Sequence, residues 1–234
     1  AYALTPSSEE QYQGIDVSDW QGYIDYSRVK SSGIEIVYIK SSQGSNIKDP
    51  YFDINYENAK ANGLRVGFYH FLTATNATEA EQQARFFASV ISGKTPDCKL
   101  AMDYEVFGGV SVGEINNIAQ IFLESVKRLT NKEVIIYSDL SNSREVFSRE
   151  LAQNYPLWIA YYGDYNQLRN IETNWENWQG VQYTDRGRVA GISGNVDRDI
   201  YTKEIFLGET SQIPQTENPN NTINTQTIYY TVQR

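Results

Sequence analysis

Apolar, β-branched and aromatic residues gather in eight short stretches, near 14–18, 34–40, 65–72, 99–105, 133–138, 156–162, 179–184 and 190–197. Runs of this length, bounded by polar and glycine-containing segments, predict eight β-strands. Between the first six, the apolar positions change to a spacing of three and four, which lines them up on one helix face. The clearest helix runs from about 112 to 129, where Ile115, Ile118, Ala119, Phe122, Val126 and Leu129 recur at that spacing. Ser111, with Glu114 three residues later, supplies a capping box for its start. Further helices are predicted near 26–32, 51–62, 77–92 and 142–153. Strand and helix thus alternate five times, which calls for parallel strands. After about residue 156 the helical spacing stops, and strands follow one another through turns containing Gly163, Gly187 and Gly194. The predicted fold is α/β, a TIM-like barrel with eight strands and about five helices, (β/α)5(β)3. Its chemistry would sit at the C-terminal ends of the strands.

A length of 234 residues suits one large domain of this kind. From about 209 the composition shifts to Thr, Asn, Gln, Ser and Pro, as in a linker. The expected division is an N-terminal extension over 1–13, a barrel over 14–208, a polar linker over 209–227, and an apolar run over 228–234. That last run reads as the start of a second module or as a terminal strand packed on the barrel.

The net charge of −9 and the absence of a basic stripe argue against a nucleic-acid partner. No stretch approaches eighteen consecutive apolar residues, so no membrane-spanning helix is expected. Cys98 is the only cysteine, which rules out an intrachain disulfide and suggests a small buried side chain. His70 is the only histidine, too few ligands for a zinc hydrolase. No Gly-x-Ser-x-Gly elbow accompanies it, so a serine nucleophile is also disfavoured and His70 is expected to be structural.

Candidate chemistry lies in Leu100-Ala101-Met102-Asp103-Tyr104-Glu105. On a strand, Asp103 and Glu105 would project from one face, each within reach of the other's charge. Paired carboxylates, one of them kept protonated, are what cleavage of a glycosidic bond requires. The alternative is a pair of solvated charges where a strand enters its loop.

Several motifs, in order, resemble glycoside hydrolase family 25, the Chalaropsis-type lysozymes. They are Gly14-Ile15-Asp16-Val17-Ser18 with Trp20-Gln21-Gly22, Val37-Tyr38-Ile39-Lys40-Ser41-Ser42-Gln43-Gly44, and Asp49-Pro50-Tyr51-Phe52. Gly67-Phe68-Tyr69-His70-Phe71, Asp103-x-Glu105, Trp158-Ile159-Ala160-Tyr161-Tyr162, Gln182-Tyr183-Thr184 and Gly191-Ile192-Ser193-Gly194-Asn195-Val196-Asp197 follow. The resemblance covers about 14–206. It departs at Gln43, where the family usually has Glu, and at Val181, where a Trp usually precedes Gln-Tyr; Trp178 is the nearest aromatic that could compensate.

The resemblance implies hydrolysis of the β-1,4 bond from N-acetylmuramic acid to N-acetylglucosamine in bacterial peptidoglycan, with no metal or cofactor. It makes Glu105 the general acid, its proton retained through the neighbouring Asp103 and partial desolvation. Asp103 would be either a nucleophile or the group that orients the substrate's 2-acetamido arm. Placement of both on one strand, and so on one side of the sugar, favours the second. Asp16 and Asp197 match positions lining the family's cleft, and Tyr69, Tyr137, Trp158, Tyr161 and Gln182 are candidate sugar contacts. The implied partner is peptidoglycan, with no nucleic acid and no membrane, acted on by a monomer at the cell wall or outside the cell, as a secreted autolysin or a phage endolysin. Tyr229-Tyr230-Thr231-Val232-Gln233-Arg234 resembles the opening of a LysM wall-binding module. A catalytically silent glycan-binding module and a chitinase-like hydrolase are the competing expectations.

Overall fold

The computed structural model describes residues 2–208; the linker and the run over 228–234 lie outside the described residues. Eight strands form the barrel: β1 (Gln11–Val17), β2 (Ile36–Gln43), β3 (Arg65–Phe71), β4 (Leu100–Asp103), β5 (Val134–Asp139), β6 (Leu157–Ala160), β7 (Gly180–Gly187) and β8 (Val196–Thr202). Strands β1 to β7 run parallel from neighbour to neighbour. Strand β8 is antiparallel to both β7 and β1, and the β1–β2 pairing closes the sheet on itself.

The helices among the described residues are α1 (Tyr26–Ser31), α2 (Phe52–Ala61), α3 (Ala77–Ile91), α4 (Val112–Thr130), α5 (Leu140–Glu145) and α6 (Arg149–Asn154). The helix predicted over 142–153 is therefore two. Ser148 breaks it by capping α6, its Oγ accepting from the Leu151 amide at 3.2 Å, while Asn116 of α4 accepts from the Ser148 amide at 2.7 Å. No described helix is long and apolar enough to cross a membrane.

The eighth strand lies later than the predicted 190–197 stretch. Val189 and Ile192 are buried because their loop packs down on α1, where the Asp25 amide donates to the Gly191 carbonyl at 3.0 Å. The strand itself reads Val-Asp-Arg-Asp-Ile-Tyr-Thr, and its inward acidic positions hide it from an apolar pattern.

Side-chain parity sorts the interior into two layers. Ile15, Val37, Ile39, Phe68, Met102, Ile136, Ile159 and Val181 point out toward the helices. Ile36, Tyr38, Ala101, Ile135, Trp158 and Tyr201 fill the barrel lumen. Tyr38, Trp158 and Tyr201 meet there with ring centroids 4.7–5.5 Å apart, and they fit only because glycine faces them. A Cβ on Gly67 would lie 2.4 Å from the Tyr38 ring, which is fixed by its hydroxyl donating to the Lys99 carbonyl at 2.7 Å. Gly67→Ala is expected to cost roughly 2–3 kcal/mol by overpacking, seen as a lower urea midpoint with unchanged slope. Wild-type stability in that variant would show that the lumen can repack.

The N-terminal residues join the floor of this barrel. Tyr2–Ala3 pairs with Glu172–Thr173, Thr5–Pro6 pairs with Asn177–Trp178, and Leu4 between them is fully buried. His70, on the outward face of β3, stacks on Phe122 at 5.4 Å, with Ser42 Oγ 2.8 Å from Nδ1 and Gln83 Oε1 3.1 Å from Nε2. Burial pushes its pKa down to about 4, so it is a neutral structural group. Cys98 is buried in the lumen, and burial raises its thiol pKa.

Candidate active site

Above the aromatic layer the same inward parity brings Asp16, Tyr69, Asp103, Tyr137, Gln182 and Asp197 to the mouth of the barrel. They line a cavity of about 260 Å³ together with Glu105, Trp158 and Tyr162. Strand β4 ends at Asp103, so Glu105 stands in the loop just beyond and is exposed, whereas Asp103 is 9 % exposed. One Asp103 carboxyl oxygen is enclosed without a hydrogen-bond donor. Burial, then hydrogen bonding and repulsion with Glu105, raise the Asp103 pKa well above the usual carboxylate range, with Lys40 as a partial counterweight. The desolvation expected at Glu105 thus falls on Asp103, because the strand end is inside the barrel and the loop residue is outside.

Gln182 is the hub of the opposite wall. Its Oε1 accepts from the hydroxyls of Tyr137 and Tyr162, both at 2.8 Å, and its Nε2 donates to Asp16 Oδ2 at 2.8 Å. Asp16 faces Asp197 directly across the β1–β8 ladder. Burial and the charge of Asp199 raise the Asp16 pKa far above normal, and burial with the charge of Asp16 lifts Asp197 to about 9. Asp199, two residues along β8 and fully buried, accepts from Trp158 Nε1 at 2.9 Å. Burial, opposed in part by its hydrogen bonds, lifts Asp199 to about 7. Burial and mutual repulsion thus both push this acidic wall toward its protonated forms.

Tyr161 is the one predicted sugar contact that does not line the cavity. It packs against the outer core with the parity of Ile159, and Tyr162 takes the cleft position. Trp158 lines the cavity but is almost wholly buried, being 2 % exposed. Tyr162 and Asp199 were absent from the sequence-based set, although inward parity from Trp158 and from Asp197 leads to each of them.

These features, a barrel with an antiparallel eighth strand and paired carboxylates closing β4, coincide with a family match: the profile of glycosyl hydrolases family 25 covers residues 15–192. The chain belongs to this family. It is 38 % identical over 200 residues to the autolytic lysozyme of Clostridium acetobutylicum, covering 85 % of this chain and 58 % of that protein. It is 35 % identical over 209 residues to lysozyme M1 of Streptomyces globisporus, covering 85 % and 70 %. The crystal structure of the lysozyme from Streptomyces coelicolor superposes with a TM-score of 0.68 at 30 % identity, covering 83 % of this chain and 93 % of that one.

Neither of the two departures from the family pattern lines the cavity that holds the carboxylates. Gln43 accepts from Lys40 Nζ at 2.9 Å at the end of β2 and lines a separate groove. Val181 faces the helix layer and is fully buried, so a side chain there does not reach the cleft. Trp178 is buried against Tyr165 and does not substitute for a cleft aromatic. Among the described residues no three His, Cys, Asp or Glu side chains are arranged to hold a metal ion.

Proposed function

We propose that this protein is a peptidoglycan N-acetylmuramidase, hydrolysing the β-1,4 bond between N-acetylmuramic acid and N-acetylglucosamine. The observation that carries the reading is the pair of unequal carboxylates at the end of β4, buried Asp103 and exposed Glu105, opening on a cleft walled by tyrosines and an amide. Membership of glycosyl hydrolases family 25 supports the bond type, and relatives named as lysozymes support the polymer.

In this mechanism Glu105 protonates the leaving glycosidic oxygen while positive charge develops at C1 of the muramic residue. As the C1–O bond breaks, the carbonyl oxygen of the residue's own 2-acetamido group closes on C1. Asp103, ionised at that moment, accepts the amide N–H and offsets the charge. Water then adds to C1 as the bond from C1 to the acetamido oxygen breaks and the amide is restored, and the water's proton passes to Glu105. In the free cleft, burial and the neighbouring Glu105 carboxylate favour the protonated form of Asp103. Both carboxyls approach from one strand end, which suits participation by the acetamido group better than attack from the opposite face.

Asp16, Gln182, Tyr137 and Tyr162 act as one hydrogen-bonded wall that orients the sugar. All these groups come from a single barrel, so we place the action in the monomer, at bacterial cell walls. The test is the identity of the new reducing end. Peptidoglycan digested by the protein and reduced with borohydride should yield N-acetylmuramitol. Reduced N-acetylglucosamine would make it a glucosaminidase, and glycan binding without release of new ends would make it a silent module.

A further inference from the structure

Glu105 must deliver its proton to one oxygen atom, yet it stands in the exposed loop between β4 and α4, and Val106 beside it is 53 % exposed. A carboxylate on a flexible side chain meets a single atom efficiently only if the backbone that carries it is fixed. The chain supplies that fixing on both sides. Tyr104 is fully buried, and its hydroxyl donates to the Ala74 carbonyl at 3.1 Å. Phe107, two residues past Glu105, turns back in and is partly buried against the outer core. Glu105 and Val106 thus form a two-residue bridge between aromatic anchors.

The anchors also meet each other. The Tyr104 and Phe107 rings pack edge to face with centroids 4.9 Å apart. Phe147, 1 % exposed between α5 and α6, closes the cluster at 6.5 Å from Tyr104 and 6.4 Å from Phe107. Such ring pairs add to the stabilisation of burial and favour one mutual orientation. Backbone contacts hold the rest of the loop. The Leu72 amide donates to the Asp103 carbonyl at 2.8 Å, and the Val110 amide donates to the Phe107 carbonyl at 3.1 Å. The second of these turns needs Gly108 and Gly109, whose φ values of 61° and 75° are left-handed. A Cβ on Gly108 would also lie 2.9 Å from Thr75 Cγ2, so the loop rests closely on the segment that follows β3. Neither Phe107 nor Phe147 lines the catalytic cavity.

We infer that Phe107 is a positioning residue: packed on Tyr104 and Phe147, it clamps the loop so that Glu105 meets the leaving oxygen. The inference deepens the muramidase reading and rests on it. A residue that acts only by aiming the acid has a signature that a general support of the fold lacks. Its loss weakens the transition state and leaves substrate binding intact, so kcat falls while KM stays. The fall also depends on the leaving group, because a phenolate departs without being protonated whereas a sugar hydroxyl must receive a proton.

The experiment compares the wild-type protein with Phe107→Ala on two substrates. One is solubilised uncrosslinked peptidoglycan strands; the other is the N-acetylglucosaminyl-N-acetylmuramic disaccharide carrying a para-nitrophenyl group at C1 of the muramic residue. On the strands kcat should fall about 10–100-fold with KM within about twofold, since a misplacement of about 1 Å can cost about 10²-fold. On the aryl glycoside kcat should stay within about threefold of the wild type. Phe107→Tyr, which keeps the ring, should recover most of the loss. Amide hydrogen exchange needs no substrate, and it should quicken over 104–110 in Phe107→Ala while β4 and α4 keep their wild-type protection. If Phe107→Ala does not fold, Phe107→Leu, which stays apolar but removes the ring, carries the same comparison. An equal fall on both substrates, an undiminished kcat on the strands, or unchanged exchange over the loop would overturn the clamp. If the wild-type protein released no muramic reducing ends from peptidoglycan, the muramidase reading would fail, and the exchange measurement would still uphold or overturn the hold of Phe107 on the loop.

Discussion

Glu105→Gln is expected to lower the clearing of purified cell-wall suspensions by about 10²–10⁴ in kcat, the usual worth of a general acid, while leaving the thermal midpoint close to that of the wild type. The glutamine keeps the shape of the side chain but carries no acidic proton for the leaving oxygen. Glu105 lies in an exposed loop beyond the end of β4, so the fold does not depend on its charge. Loss of activity without loss of structure would separate a chemical role from a structural one. Clearing at the wild-type rate would remove Glu105 from the reaction and return the pair to solvated charges at a strand end.

The chain displays the barrel clearly where packing demands differ between elements. Strands β1 to β7 face lumen and helices alternately, and the helices show one apolar face, so period two and period 3.6 stand apart in the sequence. The pattern fails at β8, where the two positions nearest the mouth are Asp197 and Asp199. Function there displaces the apolar residues by which a strand is recognised. The site was legible in a similar, partial way. Asp103 and Glu105 announce themselves as neighbours two residues apart, and Asp16, Asp197 and Gln182 by their motifs. Which carboxylate is buried could not be read locally, since that depends on β4 ending at Asp103 while the loop turns out into solvent. Tyr161 and Tyr162 are adjacent and chemically identical, and only the inward parity of Trp158 on β6 distinguishes the one that meets Gln182.

Asp103→Asn carries the other large effect, and its two parts should move in opposite directions. Hydrolysis should fall by roughly 10²–10³, because an amide cannot supply the negative charge that orients the acetamido arm and offsets the cation at C1. Stability should respond through pH. In the folded protein the Asp103 pKa is raised by burial first and Glu105 second, whereas in the unfolded chain it returns to the ordinary carboxylate value near 3.9. A raised folded pKa means that the native state holds the proton more tightly. The associated stabilisation is complete below the unfolded pKa and is lost as pH rises through the folded one. The substituted asparagine has no carboxyl proton to lose, so the variant escapes that decline. Asp16, Asp197 and Asp199 have raised pKa values of the same sign and remain in both proteins, so both should weaken from pH 4 to pH 8. The measurable quantity is the difference between them: the melting temperature of Asp103→Asn relative to wild type should climb by several degrees over that interval. A difference that stays flat with pH would mean that Asp103 is ionised in the folded protein, and full hydrolytic activity in the same variant would end its role in the reaction.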